Sequence, residues 1–158
     1  MVANDADGPD VDHDRFGASW PKHAQISPTE WMYFMGNSTG QRQGKDQVWK
    51  LDTKTDQLTK MKDSPVKVFA HQVIFMPVTV TAPKGSVYLF GGKTDMHSFS
   101  RKSYKYDIAT DSWNGLPDIP SDVFSFNLLP LVNNRYILIV SDAMKLMFDT
   151  KRETWITI

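Results

Sequence analysis

The sequence predicts an all-β chain made of one repeated four-stranded unit, and three observations carry that expectation. Beyond Arg15 the apolar residues fall in short runs of five to seven, rich in Val, Ile, Phe, Tyr and Trp and separated by clusters of Gly, Pro, Asn, Asp and Ser. Runs of that length and composition read as strands joined by turns. No stretch carries convincing helical spacing. The runs also recur as a unit, which points to stacked repeats.

The unit is visible three times. Trp31-Met32-Tyr33-Phe34-Met35-Gly36 is echoed by Ser86-Val87-Tyr88-Leu89-Phe90-Gly91-Gly92 and by Arg135-Tyr136-Ile137-Leu138-Ile139-Val140. A second echo follows each: Val48–Asp52, then Ser103–Asp107, then Lys145–Asp149. Matching tyrosines 33, 88 and 136 spaces the units by 55 and 48 residues; matching aspartates 52, 107 and 149 spaces them by 55 and 42. Six residues after each aspartate stands Leu58, Trp113 or Trp155.

The second unit justifies four strands in turn. The first is expected near Val68–Met76. The second, near Ser86–Gly91, has apolar residues on both faces and must lie between two layers. The Gly91-Gly92 pair permits a positive φ or a close backbone approach. In the third strand, Ser103–Asp107, Tyr104 and Tyr106 share one face. Ala109-Thr110-Asp111 then supplies a tight turn into the fourth, Ser112–Leu116, with the preceding aspartate bracing that turn. A sheet of this kind cannot cover its own two faces and must stack against copies of itself. His23 and His71 read as matching residues of first strands, packed and hydrogen-bonded near the common axis, and Trp113 and Trp155 as packing between units.

Apolar strand, Gly-Gly, loop, Tyr-x-Tyr-Asp, six residues to Trp and then Leu-Pro resembles the kelch repeat, most closely from Val68 to Pro120. The outer units depart from it: Gly36-Asn37 keeps one glycine, Val140-Ser141 none, and Leu58 replaces the tryptophan. The resemblance implies a kelch-type β-propeller with three four-stranded blades in an incomplete ring, at about residues 16–64, 65–120 and 121–158. Residues 1–15, which hold five aspartates before the first basic residue, read as an acidic disordered tail.

Two length differences mark the loops. The second unit has about seven extra residues between its first two strands, around Pro77–Lys84, where Val78-Thr79-Val80-Thr81 suggests an extension of the hairpin. After the second strand the loop is long in the first two units and short in the third. The resemblance implies that these loops gather on one face and engage a protein partner. The candidate binding residues are Asn37, Arg42, Lys93, Asp95, His97, Arg101 and Asp142.

Composition excludes several other classes. With no cysteine there is no disulfide scaffold, cysteine nucleophile or thiolate metal site. The 18 basic residues balance 18 acidic ones, and without the five N-terminal aspartates the remaining excess is scattered, unlike a nucleic-acid footprint. No apolar segment is long enough to cross a bilayer. The four histidines form no i, i+4 pair, and no nucleophile elbow or phosphate loop occurs. No catalytic residue, metal or cofactor is therefore expected. Asn37-Ser38-Thr39 fits a glycosylation acceptor, relevant only to a secreted chain.

The leading expectation is a non-enzymatic protein-interaction module that binds a polar or acidic segment. The alternatives are part of a carbohydrate-active enzyme resembling a sialic-acid epimerase or sugar oxidase, and a structural subunit of a larger assembly. The oxidase's copper ligands are not identifiable here, and its tyrosine–cysteine crosslink cannot form. Three blades leave apolar faces open, so a fragment of a longer protein or a half-ring completed by a second copy or another chain is expected. The start lacks the pattern of a signal peptide, which favours a cytoplasmic chain unless a signal has been removed.

Overall fold

The computed structural model of the chain describes residues 18–19, 22–34, 36–38, 45–95, 97–123 and 126–156, so the acidic stretch 1–15, Trp20 and Arg42 lie outside the described residues. Among the described residues fourteen strands are formed: β1 (Ala18–Ser19), β2 (Lys22–Gln25), β3 (Glu30–Phe34), β4 (Asn37–Ser38), β5 (Val48–Asp52), β6 (Gln57–Lys60), β7 (Gln72–Met76), β8 (Ser86–Phe90), β9 (Ser103–Asp107), β10 (Ser112–Leu116), β11 (Asn127–Leu131), β12 (Tyr136–Val140), β13 (Lys145–Asp149) and β14 (Thr154–Ile156). Twelve of them build three antiparallel four-stranded sheets, β2-β3-β5-β6, β7-β8-β9-β10 and β11-β12-β13-β14, while β1 pairs with β4. The first strands approach one another, β2 beside β7 and β7 beside β11, as blades do around an axis.

Pairing to the third strand corrects the register read from the tyrosines. Asp52 faces Glu30, Asp107 faces Ser86 and Asp149 faces Tyr136, so the equivalent second-strand residues are Met32, Tyr88 and Leu138. A one-residue slip moves a side chain to the opposite face. Tyr33 thus lies on the outer face of the first sheet with Trp31 and Leu51, whereas Tyr88 faces the third sheet. His23 likewise corresponds to Val73 rather than to His71, since His23 pairs with Tyr33 and Val73 with Leu89.

The middle strand behaves as its composition demands. All five residues of β8 are buried. Val87 and Leu89 pack with Met32, Phe34, Val48 and Tyr106 between the first and second sheets. Tyr88 and Phe90 pack with Ile137, Ile139 and Phe148 between the second and third. Each gap is crossed by a tryptophan from the following sheet. The Trp113 ring meets Phe34 edge-on at 6.0 Å and its Nε1–H donates to the Lys62 carbonyl at 3.2 Å. The Trp155 ring meets Phe90 at 5.6 Å and donates to the Pro117 carbonyl at 3.0 Å. The Lys62 N–H is held as well, donating to Asp111, which also accepts from the Tyr106 hydroxyl. Pro117, at the matching place in the next linker, has no N–H to satisfy.

The aspartate turns form as expected. Asp52 accepts from the Lys54 N–H at 2.9 Å, Asp107 from Ala109 at 3.0 Å and Asp149 from Lys151 at 2.9 Å. Each turn ends in a left-handed residue, Asp56, Asp111 or Glu153. Two further expectations need correction. The first strand of the second sheet starts at Gln72, because the chain turns at Ala70 (φ 54°) and Val68 and Phe69 make only isolated bridges, to Lys45 and Lys93. The insertion does not extend the hairpin. β7 ends at Met76 opposite Ser86, and residues 77–85 form a loop closed by mutual Thr79–Ala82 backbone bonds, with Val78 65% and Val80 101% exposed. That loop has nine residues against four in each of the other units, five more rather than seven.

Two adjoining residues near the axis are sensitive points. Gly92 has φ 97°, and a Cβ there would meet the Phe69 carbonyl oxygen at 2.7 Å and the His71 Cβ at 2.9 Å. Gly92→Ala should lower stability by about 2 kcal/mol or more. Gly115→Ala, whose added methyl meets nothing within 4 Å, should stay within about 0.5 kcal/mol of the parent in urea unfolding. His71 is fully buried, but among the described residues neither ring nitrogen has a hydrogen-bond partner, against the expectation of a bonded histidine; burial first, then the Lys22 ammonium, push its pKa down to about 3. Its folded-state pKa lies below the unfolded value of about 6.5, so the unfolded chain takes up the proton first as pH falls. Stability should then drop by up to about 1.4 kcal/mol per pH unit between those two values. His71→Leu should remove the histidine's share of that slope in urea unfolding, most plainly between about pH 5 and 6.5 where the carboxylates do not titrate, and parallel pH profiles for parent and variant would refute the assignment.

Candidate functional site

Antiparallel alternation divides the connections between two ends. The loops after the second strands share one end with the linkers that leave the fourth strands. The hairpins joining first to second strands share the other end with the aspartate turns. Backbone bonds confirm the division: Phe69 and Lys93 exchange hydrogen bonds of 2.9 and 2.7 Å at the first end, and Thr150 donates to the Arg135 carbonyl at 2.9 Å at the second.

The candidate residues described lie at the linker end, on one loop per sheet. Asn37 sits in β4, its backbone paired with Ser19, so it belongs to a short strand pair and not to a free loop. Lys93 bridges Phe69 and Phe99 through its backbone and holds its ammonium 5.2 Å from the Phe99 ring centre. Asp95 accepts from the His97 N–H at 2.8 Å, and that bond is the first cause of its lowered pKa; His97 is exposed. Arg101 donates from Nε to Asp122 at 2.7 Å, and each partner holds the other in its charged form. Beside it Lys102 Nζ lies 3.2 Å from Asp118, and the Ile119 N–H donates to the Arg101 carbonyl at 2.7 Å. Asp142 is exposed in the turn 141–144, which the Ser141 hydroxyl closes by accepting from Ala143 and Met144. The structure thus gathers Lys93, Asp95, His97 and Arg101 on one braced loop, with Asn37 and Asp142 on separate neighbours.

Reading the chain alone missed Asp118 and Asp122. They lie 16 and 21 residues beyond the cations they hold, and the only available hint was their place after Pro117 and Pro120 in the linker. It also missed the opposite end. There a cleft of about 710 Å³ opens between the second and third sheets, and one of about 360 Å³ between the first and second. Asp149 is buried beside the larger cleft, accepting two bonds from Arg135 at 2.8 and 2.9 Å, which hold its carboxyl well below the usual range. Tyr88, in the floor, has its pKa pushed up to about 12 by burial and then by Glu153.

Among the described residues no three His, Asp or Glu side chains converge as a metal-ion set would, and no helix is long and apolar enough to cross a membrane. No curated protein matches the chain. Residues 75–120, from within β7 through β10 to the following linker, match the model of the Kelch motif. The second sheet thus carries the match to the kelch motif, and the three four-stranded antiparallel sheets are those of an incomplete all-β propeller, consistent with kelch repeats.

Proposed function

We propose that the chain is a non-enzymatic protein-interaction module that holds a polar or acidic peptide segment at the linker end of its sheets, through Asn37, Arg42, Lys93, Asp95, His97, Arg101 and Asp142. Kelch-type propellers commonly serve protein interaction. The observation that carries the reading is the bracing of the loop 91–102. The Gly91 N–H donates to the Lys102 carbonyl, Ser100 donates to Gly92, Lys93 is paired with Phe69, and the ion pairs to Asp118 and Asp122 tie down the far side. A loop ordered in advance loses little entropy on binding. Its exposed ion pairs contribute little net stability, so a partner's carboxylate can take the place of Asp122 on Arg101 at small cost.

A second copy of the chain is the proposed cover for the outer face of the third sheet. Cross-strand register aligns Leu129, Leu138, Met147 and Ile156 in one row on that face. Leu129 is 49% exposed and the other three are partly buried. The matching positions Met32 and Tyr88 are covered by the next sheet, so a further sheet of the same kind fits the row. Two copies would supply six sheets.

The loop reading is tested with fluorescein-labelled acidic peptides in anisotropy titrations. Combining Arg42→Ala, Lys93→Ala and Arg101→Ala should weaken binding by about tenfold or more, and added salt should weaken binding to the parent. Unchanged affinity in a triple variant that melts like the parent would sink the site assignment.

A further inference from the structure

The two features that break the repeat, the long loop 77–85 and the hairpin turn 132–135, both line the cleft of about 710 Å³ between the second and third sheets. Neither is needed to make a four-stranded sheet, since the first unit manages with a four-residue connection and no left-handed residue at that turn. Val132, Asn133 and Asn134 all have positive φ, at 51°, 53° and 65°. For a β-branched residue such as Val132 this is an outlier that persists only where surrounding bonds impose it. Here the Arg135 N–H donates to the Val132 carbonyl at 3.0 Å, Thr150 Oγ1 donates to the Asn134 carbonyl at 3.0 Å, and Arg135 is clamped on Asp149.

The lining has a definite chemistry. Met76 and Tyr88 form a buried apolar floor, with Val78 on the wall. Lys105, Arg135 and Lys151 face a single lining carboxylate, Glu153. Lys105 lies 4.0 Å from Glu153 and over the Tyr88 ring at 5.9 Å, and Arg135 is committed to Asp149. Among the described residues Lys151 makes no ion pair, which leaves it for a ligand's charge. The volume suits a bound segment.

We propose that this cleft is a second binding site, independent of the linker-end loops, for a short peptide segment carrying a large apolar side chain beside a carboxylate. The apolar group rests against Met76, Tyr88 and Val78, the carboxylate meets Lys151, and the side-chain amides of Asn133 and Asn134 serve the segment's main chain.

Panning a random linear heptapeptide library displayed on phage against the whole chain tests this. The enriched sequences should pair a large apolar residue with Asp or Glu. Synthesised and labelled, they should bind the parent and Lys54→Glu alike, and should bind Lys151→Glu and Val78→Asp about tenfold or more weakly. Both altered residues are exposed, and thermal melting confirms that the variants fold. Absence of enrichment, enrichment without the apolar–acidic pair, or unchanged binding to both cleft variants would overturn the proposal. Peptides lost on the Arg42/Lys93/Arg101 triple alanine variant but kept on Lys151→Glu would belong to the linker-end loops and would overturn it equally.

Discussion

A four-stranded sheet with apolar residues on both faces can remove them from water only by lying against another sheet, and the rest of this structure depends on that constraint. β8 is the plainest case, with Val87 and Leu89 turned to one neighbour and Tyr88 and Phe90 to the other. Burying side chains of that size contributes about 1.5–3 kcal/mol each before the entropy of ordering them is counted. Packing alone does not fix how far one sheet slides over the next. The indole N–H bonds do, because Trp113 and Trp155 each reach back to a linker carbonyl of the preceding sheet while their rings stand edge-on to Phe34 and Phe90. Both apolar area and a directional bond therefore act at the same place in each interface.

The stacked sheets leave two ends with different character. At the linker end the connections are polar, are tied by exposed ion pairs and vary in length without disturbing the strands, as the short turn 141–144 shows beside the loop 91–102. At the other end the aspartate turns repeat faithfully, and variation enters only through the loop 77–85 and the strained turn after β11. Binding residues concentrate on connections held by a rigid scaffold, and each end supplies such connections, the first with mixed charge and the second with an apolar floor.

How much was legible depended on whether the cause was local. Asp52, Asp107 and Asp149 were readable because each makes the same bond to an N–H two residues on. Gly92 was readable because its φ of 97° and the nearness of Phe69 leave room for no other residue. The second-strand register was misread because a tyrosine serves either face, and only pairing with the third strand shows that Tyr33 and Tyr88 point oppositely. Val78-Thr79-Val80-Thr81 alternates like a strand, yet a strand continued past Met76 would project beyond the sheet with no layer to cover it. At the site, Lys93 and Arg101 could be placed on a loop from spacing alone. Their fixing by Phe69 and Asp122 joins separate segments and leaves no local pattern.

The same constraint bears on the row Leu129, Leu138, Met147 and Ile156, which has the place in the third sheet that a neighbouring sheet covers in the first two. The proposed second copy would cover it. Sedimentation equilibrium of the whole chain measures that directly. A species of twice 18.0 kDa is predicted, returning to 18.0 kDa in Leu138→Lys. A monodisperse 18.0 kDa parent at every concentration would contradict it.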